Sequence, residues 1–281
     1  MTPKSPKAPK TAKAEIVREY GPFGGERVHG VTHDGRRVWA AIGARLVAFD
    51  PESGETTRTL ERACDAGTAF DGTYLYQIAE ARIDKIDPAN GKVVASIPAP
   101  GGGSDSGLAW AEGSLWVGQY RDRKIHQIDP KTGAVKRTIE SNRFVTGVTW
   151  VDGELWHGTW EGEASEIRRI NPDTGAVLER LEMPPEPGLA DSSPTGRTCF
   201  IAAADRAARS GPCGVRKPRD MRPQHAVWLI QTGEPGNILA ARREKRAQDP
   251  PGNRTAHSTQ APPALRSRRR HFPEERAALH A

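Results

Sequence analysis

Four stretches of the chain repeat one another: GVTHDGRRVW (30–39), GTAFDGTYLY (67–76), GLAWAEGSLW (107–116) and GVTWVDGELW (147–156). Their leading glycines stand at 30, 67, 107 and 147, with spacings of 37, 40 and 40 residues. Nine positions after each comes an aromatic residue, Trp39, Tyr76, Trp116 or Trp156. Every repeat then reaches a second shared element, DPESGE, DPANGK, DPKTGA or NPDTGA, with prolines at 51, 88, 130 and 172. Self-similarity at a fixed period means one supersecondary unit that buries its faces only against copies of itself.

The unit is readable from its turn chemistry. Apolar alternation on both sides of Asp-Gly or Glu-Gly gives two short strands joined by a tight hairpin. In the Asp/Asn-Pro-x-x-Gly element, proline presets φ and glycine supplies a positive φ, which makes a second hairpin. Two hairpins in about 40 residues make four strands, the blade of a β-propeller. The recurring aromatic is expected to pack between neighbouring blades. The fold class is therefore all-β, a propeller that is five-bladed by design, with four clear blades followed by a disordered basic tail.

A fifth glycine anchor is due near 187–190, but the sequence there shows neither a hairpin signal nor a ninth-position aromatic. Residues 184–281 hold 13 of the 23 prolines and 15 arginines to 2 lysines, with no period of 2 or 3.6. Such composition is what a GC-rich gene gives out of frame. Joining neighbouring codons from Ala190 onward, with codons selected from those permitted, can spell a Gly-Leu-Glu-Ser-Asp-Gly-Ala-Asp-Val-Phe blade opening. Residues 188–281 are thus expected to be disordered, as a frameshifted remnant of the fifth blade or as a natural extension. Residues 1–14, rich in lysine and proline, are expected to form a disordered leader, leaving 15–187 as the propeller.

Charge follows the same division. The chain carries a formal net charge of +6, yet residues 184–281 alone hold 17 Lys and Arg against 9 Asp and Glu. The repeat body is left slightly acidic, so no nucleic-acid partner is expected, and Arg266–Arg270 reads as solvated charge. Cys64, Cys199 and Cys213 have neither metal-site spacing nor the even count of a disulfide framework. The first residues lack an apolar signal segment, and no apolar run of 18 residues exists. The sequence predicts a cytoplasmic monomer with no membrane partner.

Chemistry is expected on one face of the ring. The two hairpins of each blade share one face, so the connections between blades and the loops between second and third strands share the other. That mouth gathers His29, Asp65, Asp105, Arg143, Thr146, Glu80, Tyr120, Arg121, Trp160 and Glu161. Propellers bind ligands at such a mouth because every blade contributes a loop to it. The candidate ligand-binding residues are His29, Asp65, Glu80, Asp105, Tyr120, Thr146, Trp160 and Glu161. Asp65 and Asp105 have the chemistry of metal ligands or acid–base groups, or simply of loop caps. Trp160, Glu161 and Tyr120 suit a cationic or planar ligand. The catalytic residues are not identified. No metal site and no cofactor are expected, with a divalent ion at the mouth left open. A small molecule or a peptide is the expected ligand.

Several segments resemble the five-bladed glutaminyl-peptide cyclotransferases of plants and bacteria. The likeness rests on Tyr-Leu-Tyr-Gln (74–77), Lys-Ile-Asp-Pro (85–88), Gln-Ile-Asp-Pro-Lys-Thr-Gly (127–133), Trp-Val-Asp-Gly-Glu-Leu-Trp (150–156) and Arg-Ile-Asn-Pro-Asp-Thr-Gly (169–175). It spans about residues 15–183 and shares blade features with streptogramin B lyase-like propellers. The resemblance implies cyclisation of an N-terminal glutaminyl substrate at the axial mouth, a transferase or lyase-like chemistry. The family's catalytic glutamate precedes an anchor glycine, where this chain has His29, Ala66, Ser106 and Thr146. Its Asn-Glu-Leu-Glu segment is replaced by Thr-Gly-Val-Thr (146–149). Two readings stand: a cyclotransferase-like enzyme, and a non-catalytic module that binds a ligand or protein.

Overall fold

The computed structural model describes residues 8–21, 23–24, 26–151, 153–161 and 164–183, with the backbone of three later strands between 201 and 243. Each repeat forms a four-stranded antiparallel sheet. Blade one is β2 (Val28–His33), β3 (Val38–Ile42), β4 (Arg45–Phe49) and β5 (Thr56–Glu61). Blade two is β6 (Thr68–Phe70), β7 (Leu75–Ala79), β8 (Arg82–Ile86) and β9 (Val93–Pro98). Blade three is β10 (Asp105–Ala111), β11 (Ser114–Gln119), β12 (Lys124–Ile128) and β13 (Val135–Glu140). Blade four is β14 (Phe144–Val151), β15 (Glu154–Glu161), β16 (Ala164–Ile170) and β17 (Val177–Glu182). No helix occurs among the described residues, and none is long and apolar enough to cross a membrane.

The turns behave as their residues dictate. Asp50, Asp87 and Asp129 each accept a backbone N–H two residues on, at 2.7–2.9 Å, and Asn171 does the same at 2.8 Å. Gly54, Gly91, Gly133 and Gly175 close these turns at φ between 71° and 78°, donating back to the same four residues. That conformation is open to glycine at little cost and strained for a side chain. In the first hairpins of blades one and two, Asp34 and Asp71 cap the turn in the same way. Blade three uses a two-residue turn instead, with Glu112 at φ 49° and Gly113 at φ 71°.

The anchor glycines explain the ring. A Cβ on Gly67 would stand 2.3 Å from the backbone nitrogen of Leu108, and one on Gly107 would stand 2.4 Å from that of Val148. On Gly30 it would lie 2.7 Å from the carbonyl oxygen of Ala66. Successive inner strands therefore touch backbone to backbone at the axis. The space among Gly30, Gly67, Gly107 and Gly147 has no room for a water molecule. The mouth consequently ends on a floor of glycine backbone.

The ninth-position aromatics fill the seams between blades, as expected. Trp39, Tyr76, Trp116 and Trp156 are all buried. Trp39 packs with Leu75 and Ile86 of blade two, and Trp116 with Val148 and Leu155 of blade four. Tyr76 stacks on Trp110, and Trp116 on Trp150, at centroid separations of 5.5 and 5.8 Å. Each such side chain removes ~150–250 Å² from water, so these seams contribute to holding neighbouring blades together.

Strands from both ends of the chain extend the sheet of blade four. β1 spans Lys10–Tyr20. Its first half pairs in parallel with β17, setting Lys10 opposite Glu179 and Lys13 opposite Glu182. Its second half pairs antiparallel with β20 (Ile238–Arg243), which continues into β19 (Val227–Gln231) and β18 (Ile201–Ala204). These three strands and β1 continue the sheet of β14–β17. β18 lies beside both β14 and β2. Short apolar runs suffice for strands once an edge is available to pair with. Arg18 and Tyr20 also donate to the carbonyl of Pro51 in blade one, at 3.0 and 2.9 Å. The basic run Arg266–Arg270, with Cys199 and Cys213, lies outside the described residues.

Candidate functional site at the mouth

The eight candidate residues separate into two groups. His29, Asp65 and Glu80 belong to blades one and two. Asp65 accepts the backbone N–H of Glu80 at 2.7 Å, and Glu80 occupies a turn at φ 54°. The carboxylate therefore ties the inter-blade connection to the β7–β8 loop. His29 is half-buried; burial lowers its pKa, with Asp65 opposing that shift. Asp105 is buried at the start of β10, where both oxygens accept the N–H of Gly101, at 3.0 and 3.1 Å. Burial raises its pKa against those hydrogen bonds. Each aspartate thus has local backbone to cap, and among the described residues no three His, Cys, Asp or Glu side chains gather as metal ligands.

The second group forms one body. Tyr120, at the end of β11, stacks on Phe144 with centroids 4.8 Å apart and planes 15° from parallel. Phe144 in turn stacks with Trp160 at 6.2 Å and 29°. The Arg123 guanidinium lies 4.4 Å from the Phe144 centroid and reaches Glu161 at 3.3 Å. Arg143 bridges to Glu166 at 2.8 Å and donates to the Glu161 carbonyl at 3.3 Å. Burial and the Glu161 charge both raise the Tyr120 phenol's pKa, so it remains protonated at neutral pH.

Inward of this ladder lies Thr146, fully buried immediately before the Gly147 anchor. Its Oγ1 and the Nε1 of Trp160 are shielded from water and have no hydrogen-bond partner among the described residues. Leaving such a group unpaired costs about 1–3 kcal/mol. The corresponding position in blade three shows the contrast, since Ser106 donates to the carbonyl of Val145 at 2.7 Å.

Phe144 and Arg123 were missing from the sequence-derived set. Phe144 precedes its anchor by three residues, where the other blades carry Arg27, Cys64 and Ser104, so the repeat itself gave no signal. Cys64 is buried, and desolvation pushes its thiol up to about 11.

These features define a β-propeller with a mouth closed at the axis and an aromatic ladder on its blade-three and blade-four side. Among solved structures the chain is similar to the glutaminyl cyclase of Myxococcus xanthus, with a TM-score of 0.62 and 14% identity, covering 84% of this chain and 99% of that one. It is more distantly similar to virginiamycin B lyase of Staphylococcus aureus, at a TM-score of 0.42 and 14% identity, covering 76% and 66%. No protein-family model matches the chain, and no curated protein matches it. At 14% identity the first likeness establishes the fold.

Proposed function

We propose that this protein is a ligand-binding propeller that takes a small, ammonium-bearing molecule or short peptide at the blade-three and blade-four side of its mouth. The observation that carries this reading is the pair of shielded, unpartnered polar atoms, Thr146 Oγ1 and Trp160 Nε1, beside the Tyr120–Phe144–Trp160 ladder. Unpaired buried donors and acceptors in a folded protein call for an explanation, and a ligand that completes them supplies one. Aromatic faces attract ammonium groups, and the Glu161 carboxylate adds the complementary charge.

A second reading is cyclisation of an N-terminal glutaminyl peptide. It is favoured by the fold shared with glutaminyl cyclase along nearly the whole of that chain. In that reaction the α-amine attacks the side-chain amide carbon and gives up a proton, a ring C–N bond forms, the amide C–N bond breaks, and the leaving nitrogen takes up a proton to depart as ammonia. The residues directly before the anchors are His29, Ala66, Ser106 and Thr146, none a carboxylate. The absence of a carboxylate at these positions ranks the binding reading first.

One experiment separates the two. A glutaminyl dipeptide is titrated against tryptophan fluorescence while released ammonia is measured, with and without a divalent metal. Binding alone gives saturable quenching with no ammonia above the uncatalysed background, and Trp160→Phe removes the quenching. Ammonia release at a saturable rate establishes the enzyme reading. Absence of quenching in the wild-type protein contradicts the binding reading.

A further inference from the structure

Away from the mouth ladder, a cavity of about 200 Å³ lies between blades three and four. One wall is apolar, from Ile125 and Ile139. Ser141 and Asn142 line it from the connection between the blades, and His157 and Arg168 line it from β15 and β16. His157 is 2% exposed and Arg168 is 3% exposed. His157 Nδ1 is shielded from water and has no partner among the described residues.

The fold does not require a histidine there. His157 pairs with Val148 in the ladder, and the same register in blade three pairs Leu108 with Val117. Val117 is fully buried in an apolar cluster, so an apolar residue satisfies that site. Blade two holds the buried Gln77 at this register, its amide donating to the carbonyls of Ala66 and Ile78, whereas in blade four His157 Nδ1 is left unpartnered.

Arg168 and Glu140 are the charged side chains that line the cavity. Arg168 donates to Glu166 at 2.8 Å and to the Asn142 side-chain oxygen at 2.7 Å. Glu166 is shared with Arg143, so two guanidinium groups hold one carboxylate. Arg180 stands directly across the ladder from Arg168, with its Nε buried and unpartnered. Like charges directly opposite on a sheet destabilise it unless an anion intervenes.

We propose that this cavity binds a small aliphatic carboxylate, its charged end taken by Arg168, with His157 Nδ1 hydrogen-bonded to it and its alkyl end against Ile125 and Ile139. Guanidinium matches the planar geometry of a carboxylate, often through two parallel hydrogen bonds. An apolar cavity of ~150 Å³ accommodates benzene, so a space of this size suits a ligand of about four to eight non-hydrogen atoms.

The test titrates acetate, propionate and butyrate by calorimetry, following the His157 imidazole signals by NMR. Butyrate is expected to bind with a Kd on the order of 1 mM, given the efficiency limits of so small a ligand. Each added methylene tightens binding by about fourfold, and butyramide, matched in shape but uncharged, binds at least ~10-fold more weakly. His157→Val, which installs the residue of blade three, and Arg168→Gln each weaken butyrate binding at least ~10-fold, since each leaves a ligand group unpaired. His157→Gln, which retains a hydrogen-bonding group, keeps part of the affinity. Any one of three results overturns the proposal: no saturation with butyrate, equal affinity for butyramide, or unchanged affinity in folded His157→Val.

Discussion

Gly107→Ala is expected to disrupt the propeller, lowering stability by about 3 kcal/mol or more. Its added methyl would meet the backbone nitrogen of Val148 at 2.4 Å and the Cα of Gly147 at 2.7 Å. No rotamer relieves a contact between a Cβ and a neighbouring strand's backbone, so whole blades must move apart. Relief would open the aromatic seam where Trp116 packs against Val148 and Leu155. Against a typical stability of ~5–15 kcal/mol this is a large fraction. Urea unfolding of the variant beside Gly153→Ala makes the comparison. Gly153 has a positive φ of 79° but nothing within 4 Å of a Cβ, so it reports backbone strain without crowding. Equal losses in the two variants would show that the axis is not close-packed.

The second large effect is on acid stability. His157 is fully buried, and desolvation, aided by the Arg168 charge, lowers its pKa from 6.5 to about 3. The folded protein therefore holds this ring neutral, while the unfolded chain takes up a proton below about pH 6.5. The folded pKa lies below the unfolded one, so stability present above pH 6.5 is lost as pH falls toward 3. The slope is about 1.4 kcal/mol per pH unit for one proton, or about 2–3 kcal/mol by about pH 4.5. His157→Val should remove that one-proton slope between pH 6.5 and 4.5. His29 and His126, both also lowered by burial, remain in the variant and cancel in the difference. Parallel pH profiles for the two proteins would mean that water solvates the ring.

The blades were legible because their determinants are local. Gly147, Asp129 with Gly133, and Trp116 act at fixed spacing within one repeat, and the backbone requirement of each is met by a particular residue type. β1 was not legible, since only Ala14 and Tyr20 along it are buried and its partners stand at the opposite end of the chain. β18 to β20 carry no glycine anchor or Asp-Gly hairpin to announce a blade, so their composition read as unstructured. The frame-change idea for this region predicts a coding DNA whose other frame continues the blade pattern without early stops.

The site was legible in part, for a related reason. Tyr120 and Trp160 were identifiable because loop position is set by blade grammar. Their association depends on Phe144 and Arg123, which arrive from a different strand and a different turn and follow no repeat. Asp65 and Asp105 had been ambiguous between chemistry and capping, and their hydrogen bonds to Glu80 and Gly101 supply the capping role directly. The cavity between blades three and four was invisible in sequence. Its lining comes from strands of both blades and the connection between them, which no single repeat brings together.

Thr146→Val separates a ligand-binding hydroxyl from a structural one. If Thr146 Oγ1 is kept unpaired for a ligand, replacing the hydroxyl with a methyl removes an unsatisfied buried group. The variant should then be more stable than the wild type by about 1 kcal/mol in urea unfolding and should bind the glutaminyl dipeptide at least ~10-fold more weakly. A variant that is less stable and binds with unchanged affinity would contradict the account, because the hydroxyl would then serve the fold rather than the ligand.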